Sequence, residues 1–325
     1  MKALLTKAAR STLHRFGGLS AIRHMRRDQF RVAMFHGFPE STTPTLASLC
    51  AHITRYYEPV SLSTILAAMR GERTLPPNAI TITVDDGYRD FLLHGQSEFR
   101  RWRIPSTEYV VSGFSDGRLW LWTDQVRFAL EQSSKTSIEV AMQDGQMSEL
   151  DLSSPELGKK ASVRLTEWLK SVPNEHRVEF LRELPRLTGV EIPPTPPPCN
   201  APLSWDELRS LAAEGVEIGC HTDTHPILSR LRNGEQRDRE IAGAKELIER
   251  RLGFTVKHFC YPNGLPQDID DAAVESVRKA GFESSVTCSY GLNTLHVDPL
   301  LILRVPLDSE LDLAYSMELL AGLHM

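Results

Sequence analysis

Two adjacent carboxylates, Asp85 and Asp86, close the run Ile80-Thr81-Ile82-Thr83-Val84 and are followed by Gly87-Tyr88. The run reads as an apolar strand. Successive side chains of a strand point to opposite faces, so both acids can serve one site only if the strand stops at the pair. Gly87 permits that stop, because it turns without a Cβ penalty. Neighbouring carboxylates repel unless a cation or a proton gives them different roles, one as a ligand and the other as a base. Taken alone, the motif reads equally as a solvent-facing strand end.

A second group follows Val216-Glu217-Ile218, in Gly219-Cys220-His221-Thr222-Asp223-Thr224-His225-Pro226. Imidazoles four residues apart share one face of a helical turn, close enough to hold one ion. With one carboxylate they make a two-histidine, one-acid set that leaves coordination positions open, as catalytic sites do. Such an ion acidifies water and polarises a carbonyl, and the second carboxylate can then take a proton. A third turn, Phe259-Cys260-Tyr261-Pro262-Asn263-Gly264, could aim backbone N–H groups at a developing oxyanion, although by itself it is an ordinary turn.

These residues act together only if the fold brings three distant segments to one place. Arg31–Phe35, 79–84, 106–111, 216–218, 256–261 and 282–287 read as short apolar strands separated by helices. Ser204 and Glu207 form a capping box, and helices end at Gly215, Gly253 and Gly281. No glycine-rich phosphate loop follows any strand. The alternation predicts a closed or nearly closed β/α barrel with active residues at the carboxyl ends of its strands. Residues 115–200 interrupt it and are expected to form a helical insertion. It has a proline-started helix at Ser154-Pro155-Glu156, an apolar stripe at Leu165, Trp168 and Leu169, and a stiff Pro193–Pro198 exit. With Trp120 and Trp122 at its start, the insertion is expected to shape a sugar-binding mouth.

The 325 residues are 41% hydrophobic and 24% charged, in the range of a globular protein. A net charge of −5 gives no pull toward nucleic acid. Residues 1–30 depart from this balance: Lys2, Lys7, Arg10, Arg15, Arg23, Arg26 and Arg27 face the single acid Asp28. Met1, Leu4, Leu5, Ala8, Leu13 and Phe16 approximate one helix face. It could rest on an anionic membrane or pack across the barrel bottom. The segment lacks the apolar core and cleavage site of a signal peptide, so a cytoplasmic protein is expected. Its five scattered cysteines contain no Cys-x-x-Cys and are expected to be reduced.

Taken together, the motifs resemble the polysaccharide deacetylase family, the NodB-homology domains of carbohydrate esterase family 4. Thr83-Val84-Asp85-Asp86-Gly87-Tyr88 is similar to the family's Thr-Phe-Asp-Asp-Gly, His221–His225 to its His-Ser/Thr-x-x-His, and Met34-Phe35-His36 to its first strand and histidine. The likeness covers residues 31–112 and 203–306. It implies a distorted (β/α) barrel and removal of acetyl groups, N-acetyl first, from a polysaccharide, glycan or lipid-linked precursor. It implies one divalent ion, zinc first with cobalt, nickel, manganese or iron as substitutes, held by Asp86, His221 and His225. Asp85 would be the general base, and the turn Tyr261-Pro262-Asn263 would bind substrate and oxyanion.

Two positions depart from the family. Its Arg-x-Pro-Tyr stands here as Cys260-Tyr261-Pro262-Asn263, close to a Tyr-Pro-x-Gly variant, so the arginine that steadies the base is missing. Its Leu-x-His stands as Leu303-Arg304-Val305, so the usual acid is missing too. Arg304 is expected to orient Asp85, and His36 to serve as acid or as a structural histidine. A binding protein that keeps the barrel without turnover is the first alternative. An iron oxygenase using His221-x-Asp223, or a glycosidase using the Asp85-Asp86 pair, fits less well.

Overall fold

A computed structural model describes residues 17–142, 145–308 and 312–325. Seven parallel strands close a barrel: β1 (Arg31–Phe35), β3 (Ala79–Val84), β4 (Ser106–Val110), β7 (Glu217–Cys220), β8 (His258–Cys260), β9 (Ser284–Tyr290) and β10 (Ile302–Pro306). Each pairs with the next in that order, and β10 returns to β1. The short β2 (Glu58–Pro59) lies beside the start of β3. The architecture is the distorted (β/α) barrel expected from the sequence.

Strand parity decides what reaches the interior. In β3, Ile80, Ile82 and Val84 join the outer core under the helices with Phe35, Leu46 and Phe99. Thr81 and Thr83 therefore face inward, and Thr83 Oγ1 donates to the Ala33 carbonyl at 2.9 Å. Asp85, next in this parity, emerges inside the barrel at its carboxyl end. Gly219 in β7 has no substitute, because a Cβ there would lie 2.4 Å from the Tyr109 ring. The capping box at Ser204 forms as read, and the helix Trp205–Ala213 that it starts delivers the chain to β7.

The insertion differs from the helical expectation. Besides the helices Trp122–Glu131, Pro155–Ser171 and Asn174–Thr188, it contains an antiparallel hairpin, β5 (Ser137–Met142) with β6 (Gln146–Asp151). The reason is a period of two: Ile138, Val140 and Met142 are buried while their neighbours face outward. These residues share a separate core with Val126, Leu130, Leu165 and Leu184. The insertion is thus a small α+β lobe with its own packing.

Part of the basic amino-terminal segment packs on the body. Helix Gly18–Met25 buries Leu19, and the Arg23 guanidinium lies 4.4 Å from the Tyr56 ring. Buried Arg31 donates from Nε to the Leu320 carbonyl at 2.9 Å. Residues 1–16, which carry the apolar stripe considered for membrane contact, lie outside the described residues. Among the described residues, no helix is long and apolar enough to cross a membrane. All five cysteines are free thiols.

Candidate metal centre and active site

Three turns at strand carboxyl ends build the site, and backbone strain gathers there. Of the six described non-glycine residues with positive φ, four belong to these turns: Asp86 (81°), Thr222 (69°), His225 (56°) and Asn263 (60°). Left-handed backbone at such residues costs about 1–3 kcal/mol each and persists where the surroundings enforce it, typically at functional sites. After β3 the chain turns through Asp86 and Gly87, both left-handed, so Asp85 and Asp86 project toward the same mouth.

The His221–His225 segment is an irregular loop and not the helical turn that the spacing suggested. Thr222 Oγ1 accepts the His225 N–H at 3.0 Å. Glu240 accepts the Asp223 and Thr224 N–H groups at 3.0 and 2.8 Å and the Thr224 hydroxyl at 2.6 Å. From the insertion, Trp122 Nε1 donates to the His225 carbonyl at 3.1 Å, and its ring lies 4.8 Å from the Arg177 guanidinium. The lobe therefore helps to hold the loop.

The loop brings both imidazoles to Asp86. His221 Nε2 and His225 Nε2 lie 3.1 Å apart, and each is 3.4–3.5 Å from Asp86 Oδ1. Bonds of about 2.0–2.1 Å in a tetrahedral set require ligand atoms about 3.3–3.4 Å apart, so the three atoms fit one small divalent ion. Asp86 Oδ1 is buried without a hydrogen-bond partner. His221 Nδ1 lies 2.8 Å from the Cys260 carbonyl, which fixes the proton on Nδ1 and leaves Nε2 a lone pair toward the cluster. Burial pushes the His225 imidazole down to about 3, so it is neutral and able to ligate. Burial pushes the Asp86 carboxyl up, but the surrounding imidazoles of His221, His225 and His36 outweigh it and hold it low.

Asp85 lies beside this cluster, 1% exposed, in a bidentate pair with fully buried Arg304. Nη1 donates to Oδ1 and Nη2 to Oδ2, both at 2.7 Å. Arg304 also donates from Nε to the Thr287 carbonyl at 2.7 Å and from Nη1 to Thr83 Oγ1 at 3.2 Å. Burial alone would raise the Asp85 carboxyl, but the Arg304 charge and hydrogen bonds keep it below its ordinary value. Cys260 puts its sulfur 3.3 Å from Arg304 Nη2. The guanidinium thus reaches Asp85 from β10 and not from the turn after β8. Asp85, His221 and Cys260 also cluster, but burial holds the thiol strongly protonated, Arg304 occupies Asp85, and the set makes a poor second metal site.

His36 follows β1, is half exposed, and its Nε2 lies 3.7 Å from Asp85 Oδ2. It lines a cavity of 530 Å³ with Asp86, Tyr88, Asp90 and Asp124. Tyr261 does not join them. It continues outward from β8, packs edge-on against Phe259 in the outer core, and donates its N–H to Val286 at 3.3 Å. Only Pro262 and Asn263 of that turn remain as site candidates. The Asn263 side chain donates to Asp268, while its backbone N–H has no hydrogen-bond partner among the described residues. Asp223, considered for an iron site, is instead tied to Ser112 and Arg118.

Several site residues went unread in the sequence. Tyr88 donates to Asp124 Oδ2 at 2.7 Å, linking the Asp-Asp-Gly turn to the insertion, and Arg127 donates to the other oxygen at 2.7 Å. Asp90 accepts the Phe38 N–H through Oδ2 at 2.8 Å, while its Oδ1 is buried without a partner. Tyr88, within the Asp-Asp-Gly motif, and Asp90, four residues after Asp86, carried a visible signal, but their contacts did not.

Residues 159–285 match the family model described as polysaccharide deacetylase. The match includes the His221–His225 loop and the turn after β8, and excludes Asp85-Asp86 and Arg304. Among curated proteins, no sequence matches. The fold is similar to the Streptococcus pyogenes deacetylase PplD in complex with acetate, with a TM-score of 0.58 and 12% identity over 90% of this chain and 98% of that one. It is also similar to IcaB from Ammonifex degensii, with a TM-score of 0.57 and 16% identity over 91% and 97%. For the BpsB deacetylase domain from Bordetella bronchiseptica the values are 0.55 and 18% over 86% and 96%. The chain thus matches the polysaccharide deacetylase model over residues 159–285 and shares its fold with these deacetylases.

Proposed function

We propose that the protein is a divalent-metal-dependent carbohydrate deacetylase that hydrolyses an N-acetyl group on a sugar of a glycan or lipid-linked precursor. The observation that carries this reading is the convergence of Asp86, His221 and His225 beside a buried Asp85–Arg304 pair at the carboxyl ends of the strands. The relatives' activities support it, as does the acetate held by the Streptococcus pyogenes protein.

Asp86, His221 and His225 would hold the ion. When bound, the ion polarises the acyl carbonyl and acidifies water, and zinc suits the two-nitrogen, one-oxygen donor set. Asp85 takes the proton of the attacking water, and Arg304 keeps that carboxylate ionised and aimed. The Asn263 N–H donates to the oxygen that gains charge as the tetrahedral carbon forms. His36 gives a proton to the departing amine as the C–N bond breaks, so acetate and a free amino sugar result. In the same reading the protein works in the cytoplasm, which the free state of all five cysteines supports. Contact of residues 1–30 with a membrane surface remains part of the proposal.

Acetate release from N-acetylglucosamine oligomers tests it. Release should require added zinc or cobalt, cease with a chelator and return when the ion is restored. A rate indifferent to the chelator, or release retained in Asp85→Asn, would overturn it.

A further inference from the structure

A pocket of 380 Å³ lies between helix Gly18–Met25 and helix Thr43–Tyr56, away from the metal centre. The second helix leads into β2, which pairs with Ala79 and Ile80 at the start of β3, whereas Asp85 and Asp86 follow its end. The six residues of β3 span about 20 Å at 3.3 Å per residue. A group held in this pocket therefore does not touch the metal centre.

The donors that line the pocket are Arg23, Arg55, His52, Ser20 and Ser48, and its described lining contains no acid. The Tyr56 ring faces both guanidinium groups, that of Arg23 at 4.4 Å and that of Arg55 at 5.2 Å. Arg23 also donates to Ser20 Oγ at 2.9 Å. Buried Arg31 brings a third guanidinium close, 5.1 Å from the Tyr57 ring, which Arg23 approaches at 5.8 Å. Arg31 donates to the Leu320, Gln29 and Arg26 carbonyls, and none of these carries a compensating charge. Burial lowers the Arg31 guanidinium from its ordinary value, and the charges of Arg23 and Arg26 act in the same direction. Cations gathered in this way repel one another until an anion joins them.

A phosphate group suits these donors. Arginine pairs with it bidentately, and it offers more acceptor oxygens than a carboxylate, so the hydroxyls and the imidazole can be met as well. The surroundings favour a lipid as its source. Residues 1–27 contain no acid, and Lys2, Lys7, Arg10 and Arg15 precede the pocket in the chain. Each basic residue near an anionic bilayer adds to the attraction.

We propose that Arg23, Arg55, His52 and Ser48 form a phosphate-binding pocket beside the amino ends of the barrel strands, with the headgroup of an anionic phospholipid as its ligand. The pocket gives the membrane contact proposed above a headgroup site and rests on that part of the reading. It stands apart from the deacetylase activity.

Vesicle flotation tests it, with phosphatidylcholine alone and with equimolar phosphatidylcholine and phosphatidylglycerol. The full chain is compared as wild type, Arg23→Gln with Arg55→Gln, Ser48→Glu, and a charge-matched control, Arg27→Gln with Arg73→Gln, whose exposed side chains lie outside the pocket. Ser48 is exposed, so Ser48→Glu places a competing carboxylate at the pocket without disturbing the core. Circular dichroism accompanies each variant. Wild type should bind the phosphatidylglycerol vesicles and ignore phosphatidylcholine alone. Binding should fall about tenfold or more in both pocket variants and by no more than about threefold in the control. Pocket variants that bind like wild type, or an equal loss in the control, overturn the pocket and leave a diffuse membrane contact. If wild type ignores both vesicles, the membrane contact fails, and calorimetric titration with glycerol phosphate decides the pocket. Binding lost in both pocket variants supports the phosphate site with a soluble ester as its source, and no binding overturns it. None of these readouts depends on acetate release, so failure of the pocket and failure of the deacetylase reading are told apart.

Discussion

Replacing Arg304 with methionine removes a buried guanidinium while keeping a long apolar stem, and leaves Asp85 inside the barrel without its partner. The pair is 0% and 1% exposed and joined by two 2.7 Å bonds, so solvent screens it little. Breaking a buried pair from one side costs about 3–5 kcal/mol. At roughly 2 °C per kcal/mol for a chain of this size, the melting midpoint should drop by about 6–10 °C. The pH dependence follows from the same pair. In wild type, Asp85 is held below its ordinary value of 3.8, so its stabilisation is complete above that pH. The stabilisation disappears as pH falls through the lower folded value. In Arg304→Met the largest opposition to burial is gone and only the His36 and His221 imidazoles still hold the carboxyl down, so it rises and the acid limb of kcat/KM should move to higher pH. Thermal melts and pH–rate profiles of wild type, Arg304→Met, Asp85→Asn and the double variant provide the assay. The double variant should be more stable than Arg304→Met, because it leaves no unpaired charge. A melt within about 1 kcal/mol of wild type, together with an unmoved acid limb, would refute the reasoning.

Other perturbations test neighbouring parts of the account. Trp122→Phe removes the donor to the His225 carbonyl while keeping an aromatic ring, and should weaken zinc or cobalt binding about tenfold in a calorimetric titration; affinity within twofold of wild type would contradict that role. His36→Ala should lower kcat by about 10²–10⁴-fold with metal content unchanged, and a near-normal rate would remove it as the acid. Glu108 is fully buried with neither carboxylate oxygen partnered, and burial holds its carboxyl well above the usual range. The folded state therefore keeps a proton that the unfolded state releases, and the contribution of Glu108 to stability falls as pH rises above about 4.5. Glu108→Gln should raise the neutral-pH melting midpoint, with the gain shrinking toward pH 4; a gain independent of pH would refute the assignment.

How far the sequence carried depended on whether the pattern was local. The β3 run, its Asp-Asp-Gly end and the Ser204 capping box depend on alternation and neighbouring residues, and the folded chain keeps them. The helical turn suggested for His221–His225 fails because Thr222 and His225 are left-handed, and Pro226 already disfavoured helix for the residue before it. Parity also separated Tyr261 from Cys260: in a strand ending at 260, Cys260 looks inward and its neighbour outward. The β5–β6 hairpin was visible as alternation at 137–142, but the strong helical stripe that follows obscured it. Contacts such as Trp122 to His225 or Tyr88 to Asp124 join residues 103 and 36 positions apart through the lobe, and no local spacing encodes them.

The most direct test of the central claim is metal content and affinity in wild type beside Asp86→Asn and His225→Ala, with folding followed by circular dichroism. The account predicts one tightly held divalent ion per chain in wild type, lost or bound at least about tenfold more weakly in both variants while they stay folded. A wild-type protein that takes up no ion when supplied with zinc, cobalt, nickel, manganese or iron, or variants that bind as tightly as wild type, would contradict it.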